Sequence, residues 1–345
     1  MKQSSKIFIA GHRGLVGSAI LQHLQSLGYT QIITRTHSEL DLTDFNQVGE
    51  FFAQHDIEYV FFCAAKVGGI LANNTLRADF IYQNLAMQNA IIYHAYKHNV
   101  KKLLFLGSSC IYPKNAPQPI TEDALLGSPL EYTNEPYAIA KIAGLKMCES
   151  FNLQYGTNFL SVMPTNLYGE NDNFSLEHSH VLPALIAKFH FAKLLATHQT
   201  QALEQSFGDP SHLERYGIFA DKVVLWGSGN PRREFLHSSD MARACVFVME
   251  KLNFQDLICG QKEIKNTHLN IGYGEDISIR DLATLVREIV GFEGEIAFDC
   301  SKPDGTMRKL LDTSKLNDLG WKPSIDLKEG IAQTYKHYLA QKAHK

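Results

Sequence analysis

The first half of the chain alternates short, wholly apolar runs with longer segments whose apolar residues recur every three or four positions. The apolar runs predict strands at 6–11, 31–35, 59–65, 102–108 and 158–164. The periodic segments predict helices at 14–27, 44–55, 75–98 and 134–156. Strands this apolar are buried on both faces, as in a parallel sheet covered by helices. The pattern therefore predicts an α/β fold with a Rossmann-type, doubly wound parallel sheet.

The second half of the chain has a less regular pattern. It predicts strands at 222–227 and 268–274, and helices at 180–197, at 278–290 and from about 327 onward. A polar stretch over 198–221 separates the first of these helices from the next strand. We therefore expect a domain over 1–170 and a smaller substrate-binding lobe over 171–345, with segments of the lobe returning to the main sheet.

Composition limits the expected partners and compartment of the protein, but it does not indicate which reaction the protein catalyses. The chain of 345 residues is 45% hydrophobic and 20% charged, with a formal net charge of -3, so we expect neither a nucleic-acid partner nor a membrane-surface partner. It contains no run of about 18 apolar residues and no signal-peptide pattern. Six scattered cysteines predict reduced thiols and a cytoplasmic protein, and no metal-ligand spacing is present.

Three glycines follow the first predicted strand, in GHRGLVG (11–17), where the first predicted helix begins. Glycine permits a tight turn there and lets the backbone approach a pyrophosphate held at the helix N-terminus. A glycine motif alone is weak, because any turn between a strand and a helix can use one. The strand before it and the amphipathic helix after it favour a dinucleotide site.

The end of the second predicted strand indicates which dinucleotide binds. NAD-binding proteins usually carry an acidic residue at this point, whereas an arginine accommodates the 2′-phosphate of NADP. The chain has Arg35 and His37 here, no acid before Glu39, and Arg13 within the glycine loop. Two guanidinium groups favour NADPH; the alternative is that both are solvated surface charges.

A second group of residues suggests acid–base chemistry. Tyr137 and Lys141, in PYAIAK, share one face of a predicted helix. A nearby ammonium lowers the pKa of a phenol, which makes the phenol usable in general acid–base catalysis. Ser108 adds a hydroxyl at the end of the strand KLLFLGS. Cys110, in GSSCIYP, is either a reactive thiol or a small buried hydrophobe.

Further motifs carry a resemblance that extends from residue 11 to residue 306. They are GHRGLVGSAI, AAKVGGILANN, FIYQN, LLFLGSSCIYPK, TNEPYAIAKIAG, MPTNLYG, VLWGSG, REFLH and SKPDGT. Together they resemble the extended short-chain dehydrogenase/reductase family, whose Ser/Tyr/Lys triad matches Ser108, Tyr137 and Lys141. The match is closer still to the GDP-L-fucose synthase family, which epimerises a GDP-4-keto-6-deoxy sugar at C3 and C5 and reduces it at C4 with NADPH.

This resemblance implies roles for further residues. Cys110 and His180 would remove and return the protons during epimerisation. The GDP-sugar would be held by Lys188, Trp226, Arg233 and Asp304. The cofactor would contact five places: the glycine loop, the end of the second strand, the fourth strand, the catalytic lysine and the MPTNL segment. In chain order the residues at these places are Gly11, Arg13, Gly14, Leu15, Val16, Gly17, Arg35, Leu106, Lys141, Pro164, Asn166 and Leu167. The helices near 75–98 and 135–155 would pair with those of a second copy, so we expect a homodimer built on a four-helix bundle.

The sequence departs from the family pattern at two places. His37 stands where relatives commonly carry a second arginine for the 2′-phosphate, and the stretch between Lys188 and Trp226 is about two dozen residues longer than is typical. Such an insertion either reshapes the sugar pocket or lies on a remote surface.

The departures leave two other functions open. One is a C4 reductase of a GDP-4-keto-6-deoxy-heptose with little or no epimerase activity. The other is a non-catalytic regulator that binds NADPH on the same fold. Consumption of bound NADPH in the presence of a GDP-4-keto sugar separates a regulator from an enzyme.

Overall fold

The computed structural model describes residues 1–207 and 209–343. Its strands are β1 (Ile7–Ala10), β2 (Ile32–Thr34), β3 (Tyr59–Phe62), β4 (Lys102–Leu106), β5 (Phe159–Pro164), β6 (Asn166–Tyr168), β7 (Lys222–Trp226), β8 (Arg232–His237), β9 (Leu269–Ile271), β10 (Asp276–Ser278), β11 (Glu295–Asp299) and β12 (Arg308–Lys309). Its helices are α1 (Leu15–Ser26), α2 (Phe45–His55), α3 (Ile70–Thr75), α4 (Arg77–Lys97), α5 (Glu135–Tyr155), α6 (Val181–Ala196), α7 (Thr200–Phe207), α8 (Ser238–Lys251), α9 (Phe254–Ile258), α10 (Ile279–Val290), α11 (Ser314–Asp318) and α12 (Leu327–Ala343).

The main sheet has six parallel strands in the order β2-β1-β3-β4-β5-β9. This arrangement, with helices on both faces, confirms the prediction of a Rossmann-type doubly wound α/β fold. The strand order reverses between β1 and β3, and a crevice opens at the carboxyl ends of the strands at such a reversal. The glycine loop after β1 therefore lies at the position where this fold binds ligands.

Alternate side chains of each central strand are buried against the helices on opposite faces of the sheet. This explains why the strands are apolar throughout. Phe8 and Phe105 pack with α2, α4 and α5 on one face of the sheet. Ile9 and Leu104 pack with α1 and α8 on the other face. Full burial on both sides removes the alternation of polar and apolar positions that marks a half-exposed strand.

Local sequence signals set the ends of the helices that flank the site. Asp44 caps α2, and its carboxylate accepts from the backbone nitrogens of Asn46 and Gln47 at 2.9 and 3.1 Å. Pro136 lies in the first turn of α5, and Gly156 ends that helix with a φ of 68°.

The second part of the chain forms two smaller sheets beside the main one. In one, β8 pairs with β6, β10 and β12, and in the other β7 pairs with β11. The core beneath them is made by α6, α10 and α12. Strand β9 also comes from this half of the chain and joins the main sheet beside β5. The boundary at residue 170 stays a prediction.

The described residues of the polar stretch at 198–221 are partly helical. They form α7 and a 3-10 helix at Pro210–Tyr216. Leu203, Leu213 and Ile218 bury their side chains in the core of the second lobe. These three buried side chains anchor the stretch to the lobe. Among the helices of the described residues, none is long and apolar enough to cross a membrane.

Candidate active site

The glycine loop between β1 and α1 fits a dinucleotide. A Cβ on Gly17 would lie 2.1 Å from the carbonyl oxygen of Gly11, so only glycine lets the loop turn onto the helix. A Cβ on Gly14 would meet no atom closer than that same oxygen, at 3.5 Å. The protein's own packing therefore does not require glycine at position 14, and its missing side chain leaves room for a ligand. Gly14 also precedes α1, whose first backbone N–H groups have no acceptor within the helix and can hold a pyrophosphate.

Arg13, in the glycine loop, and Arg35, after β2, both act electrostatically on Glu39. Thr36 holds the carboxylate of Glu39 through its backbone nitrogen and hydroxyl at 2.7 and 2.8 Å. These bonds, and next the charges of Arg35 and Arg13, lower the pKa of Glu39. The two guanidinium groups predicted for the 2′-phosphate therefore act on the same carboxylate. His37 is exposed, and its Nδ1 lies 3.8 Å from a carboxylate oxygen of Asp41. The ring therefore faces a residue only four positions later in the chain.

Ser108, Tyr137 and Lys141 meet at the carboxyl end of β4. The ammonium of Lys141 is buried, donates to the carbonyl of Leu106 at 2.7 Å, and lies 5.8 Å from the centre of the Tyr137 ring. Burial lowers the pKa of Lys141 to about 8. Burial also raises the pKa of Tyr137, and the nearby Cys110 raises it further, whereas a hydrogen bond from Ser108 opposes the rise. The Tyr137 phenol is therefore neutral at pH 7 and able to donate a proton.

Cys110 lies beside this triad and is only half-buried, unlike a core cysteine. Its sulfur accepts a hydrogen bond from the amide of Asn134 at 3.4 Å and lies 3.9 Å from the ammonium of Lys309. Its backbone nitrogen donates to the Ser108 hydroxyl at 3.2 Å. The thiol opens into a cleft whose other walls come from 112–120 and 306–309. A substrate entering the cleft can reach the thiol, whose residue adjoins the triad through the bond to Ser108.

His180 immediately precedes α6 and remains exposed. The surrounding protein lowers the pKa of its ring, and the charge of Lys309 lowers it further. The charge of Lys309, whose ammonium lies 3.9 Å from the Cys110 sulfur, therefore acts on His180 as well. The KVGGI loop reaches the same segment, since a Cβ on Gly69 would lie 3.4 Å from the carbonyl of Ser179.

The residues expected to hold a GDP-sugar line the second lobe. The side chain of Trp226 is 72% exposed at the end of β7, which excludes a role in core packing. The ammonium of Lys302 lies 5.7 Å from its ring centre. Arg233 is half-buried on β8, and burial lowers its pKa. Asp304 accepts from the backbone nitrogen and the hydroxyl of Ser228 at 2.9 and 2.7 Å, so it fixes the loop after β7.

Lys188 contacts the insertion at 198–221 directly. Its ammonium donates to the carbonyl of Tyr216 at 2.6 Å, and burial lowers its pKa to about 8. The hydroxyl of Tyr216 donates to Glu177, three residues before His180, at 2.5 Å. The insertion is therefore not a remote surface loop, because it contacts both a predicted substrate residue and the segment leading to His180.

The MPTNL segment leaves the main sheet after β5 and continues as β6. Asn166 donates from its side-chain amide to the carbonyl of Glu234 at 2.8 Å, which ties β6 to β8. Pro164 ends β5 and Leu167 lies within β6, so all three predicted cofactor contacts lie where the two lobes meet.

Sequence patterns did not single out Asn134 and Lys309 as partners of the thiol. Asn134 directly precedes α5, but nothing in a linear motif says that its amide turns toward Cys110. Lys309 lies 199 positions from Cys110 and reaches it because β12 pairs with β8. The nearby SKPDGT motif marks this part of the chain as part of the family pattern. Only the pairing of β12 with β8 brings the Lys309 ammonium to Cys110.

We expect replacement of Lys309 by Met to slow alkylation of the Cys110 thiol about fivefold at pH 7. The reason is that a unit charge about 4 Å away in a solvated site is worth roughly 1 kcal/mol to a thiolate. Alkylation by iodoacetamide, read peptide by peptide in a mass spectrometer, measures this rate. Lys114→Met is the matched control, since Lys114 lines the same cleft but pairs with Glu131 at 2.8 Å. Equal rates in all three proteins would contradict the prediction.

Comparison with known proteins agrees with this geometry. Residues 7–272 match the NAD dependent epimerase/dehydratase family. The chain is 53% identical to a protein of Arabidopsis thaliana named GDP-L-fucose synthase 1, over 98% of this chain and 94% of that protein.

Two solved structures from Campylobacter jejuni are also similar. A GDP-6-OMe-4-keto-L-xylo-heptose reductase has a TM-score of 0.95 and 46% identity, over 99% of each chain. A GDP-D-glycero-L-gluco-heptose synthase, in the presence of NADPH, has a TM-score of 0.93 and 44% identity, over 98% of this chain and 99% of that one. The chain therefore belongs to the NAD dependent epimerase/dehydratase family, and its similarity to a GDP-L-fucose synthase extends over nearly its whole length.

Proposed function

We propose that this protein is an NADPH-dependent oxidoreductase of the GDP-L-fucose synthase type. It epimerises a GDP-4-keto-6-deoxy sugar at C3 and C5 and reduces the C4 ketone. The observation that carries the proposal is that Ser108, Tyr137 and Lys141 adjoin Cys110, whose thiol opens into a cleft. The ammonium of Lys309 lies 3.9 Å from that thiol, and its charge also acts on His180. A reductase needs the first three residues, and an epimerase that moves protons beside a ketone needs a further pair.

NADPH binds along the carboxyl ends of the strands and supplies the hydride for C4. The backbone at the start of α1 holds its pyrophosphate, with Gly14 leaving the space. Arg13 and Arg35 hold the 2′-phosphate, which agrees with the similar heptose synthase studied in the presence of NADPH. Lys141, on α5, would hold the nicotinamide ribose, and Leu106 and the MPTNL segment would hold the nicotinamide ring.

Tyr137 protonates the oxygen at C4 as the ketone becomes an alcohol. Its phenol is neutral at pH 7 because burial raises its pKa, so the proton is present before the reaction. Ser108 donates a hydrogen bond to the same oxygen and fixes the carbonyl. The buried ammonium of Lys141 stabilises the phenolate that forms, and its bond to the Leu106 carbonyl fixes its position.

Cys110 and His180 exchange the protons at C3 and C5. One group removes a proton beside the ketone and the other returns a proton from the opposite face of the sugar. A thiol suits this work because its ordinary pKa, near 8.5, is within reach of neutral pH. A neutral imidazole, favoured because the surrounding protein and the charge of Lys309 lower the pKa of His180, accepts a proton readily.

The GDP moiety binds the second lobe. Trp226 offers an exposed ring for stacking on the base, and Arg233 offers a planar fork of donors for a diphosphate. Lys188 and Asp304 hold the surrounding loops and the sugar nucleotide.

All six cysteines are free thiols, which suits a reducing compartment, and on that ground we place the protein in the cytoplasm.

A second candidate function is C4 reduction of a GDP-4-keto-6-deoxy-heptose. It is favoured by the similarity to the heptose reductase and by the insertion that contacts Lys188. A pocket discriminates weakly between sugars that differ by one carbon at C6, since one methylene or hydroxyl is worth about 1–3 kcal/mol.

Deuterium exchange separates the two candidates. The enzyme is incubated in D2O with GDP-4-keto-6-deoxy-D-mannose and, separately, with its heptose counterpart, without NADPH. Deuterium entering at C3 and C5 of the hexose supports the epimerase-reductase. Absence of exchange, with turnover once NADPH and an already epimerised sugar are added, would make the protein a C4 reductase only.

We also propose that the protein is a homodimer, joined through α4 and α5. These helices pack on each other and leave large apolar side chains exposed, among them Tyr82 at 71% and Leu153 at 51%. Light scattering at micromolar concentration is expected to give twice the 38.8 kDa mass of one chain. Combined Tyr82→Glu and Leu153→Glu substitutions lower it to one chain, whereas Leu319→Glu, on a distant exposed leucine, leaves it unchanged. A single-chain mass for the wild type contradicts the proposal.

A further inference from the structure

Arg35 is fixed from two directions at the end of β2. One terminal nitrogen donates to the carbonyl of Thr34 at 2.8 Å, and the other lies 3.0 Å from Nε2 of His55. The guanidinium carbon also lies 5.4 Å from the ring centre of Phe51. A long, flexible side chain held in this way loses little further freedom when it binds an anion.

The contacts of His55 define its tautomer. Its Nδ1 lies 2.7 Å from the carbonyl of Phe51, and a carbonyl can only accept, so Nδ1 carries the proton. Nε2 then presents a lone pair, which suits a guanidinium that can only donate. The result is a continuous chain of donors and acceptors from Arg35 through His55 to the backbone of α2. The His55 ring also packs on Phe51, with centroids 4.4 Å apart.

This anchoring leaves most of the Arg35 guanidinium available. The two bonds use two of the five N–H donors of an arginine, and three remain. Arg13 lies on the neighbouring glycine loop, and both arginines influence Glu39. Glu39 itself is held by Thr36. The free donors of Arg35 and the charge of Arg13 thus form a cationic site at the end of β2, where a dinucleotide places its adenosine ribose.

We propose that His55 is a positioning residue that sets the preference for NADPH over NADH by holding Arg35 at the 2′-phosphate. This inference rests on the proposed NADPH-dependent function and adds a residue from α2 to it. His55 does not touch the cofactor itself. It acts through Arg35, so its effect falls on the phosphate that distinguishes NADPH and not on the parts that the two cofactors share.

Equilibrium binding of NADPH and of NADH, followed by nicotinamide fluorescence without any sugar, tests the proposal. His55→Phe keeps the ring against Phe51 but removes both nitrogens, and it is expected to raise the Kd for NADPH about fivefold, as for loss of part of a charged hydrogen bond. The Kd for NADH stays within about twofold. The control is His98→Phe, because His98 packs on Phe52 with centroids 6.1 Å apart and has no contact with Arg35 among the described residues.

A double-mutant cycle with Arg35→Met separates positioning from general packing. If His55 acts through Arg35, adding His55→Phe to Arg35→Met changes neither Kd further. Equal weakening of both cofactors by His55→Phe, or additive effects in the cycle, overturns the proposal. A wild-type protein with no preference for NADPH overturns the proposed cofactor as well. A preference that Arg35→Met abolishes and His55→Phe preserves overturns only the role of His55.

Discussion

Replacing Tyr137 with Phe lowers the rate of C4 reduction by about 10³-fold, because general acid catalysis contributes roughly 10²–10⁴-fold. Deuterium exchange at C3 and C5 continues in this variant. The substitution removes one oxygen and keeps the ring, which packs edge-on against Phe80 with centroids 6.3 Å apart. The hydride can still reach C4, but the alkoxide that forms has no proton donor. In the proposed mechanism exchange depends on Cys110 and His180, so we expect it to persist.

Two assays on the same variant check this expectation. NADPH oxidation with the epimerised GDP-4-keto sugar follows reduction, and NMR in D2O follows exchange. Tyr132→Phe is the control, since Tyr132 is 67% exposed and stacks with Arg77 outside the triad. Reduction at the wild-type rate in Tyr137→Phe, or loss of both activities with intact folding by circular dichroism, contradicts the assignment of Tyr137 as the acid at C4.

Replacing Cys110 with Ser lowers exchange at C3 and C5 by about 10²–10³-fold and leaves reduction of an already epimerised sugar within about twofold. The hydroxyl of serine fills nearly the same space and accepts from Asn134, but it is a far weaker acid than a thiol. The cleft therefore keeps its shape while its proton carrier at neutral pH is lost.

The control for this substitution is a second cysteine changed in the same way. Cys300 is exposed and lies outside the cleft, so Cys300→Ser leaves both activities unchanged. The assignment is wrong if exchange in Cys110→Ser proceeds at the wild-type rate. It is also wrong if reduction of the epimerised sugar falls as far as exchange, since a thiol used only in proton exchange has no part in the hydride step.

Most of the main sheet was predictable because its strands are buried on both faces. The predicted strands at 59–65 and 102–108 end earlier in the structure, at Phe62 and Leu106. The residues after them continue beyond the carboxyl edge of the sheet, where Ser108 lies beside Cys110. The predicted helix at 75–98 begins at Arg77, after a separate short helix, α3.

The polar stretch at 198–221 illustrates a limit of periodicity. Its amphipathic character is weak because only a few side chains, such as Leu203 and Leu213, reach the core. The pattern alone did not say whether it was ordered or where it packed. Its contact with Lys188 depends on a backbone carbonyl, that of Tyr216, which every residue carries and no motif marks.

The sequence by itself determined the α/β fold, the dinucleotide loop and the spacing that brings Tyr137 and Lys141 to one helix face. These follow from local rules, namely two-sided burial of strands, the turn that glycine permits and the period of the helix. The tertiary structure alone decided that Lys309 faces Cys110 and that His55 holds Arg35. Those contacts join residues far apart in the chain, and they exist only because strand pairing and helix packing fix where each side chain ends.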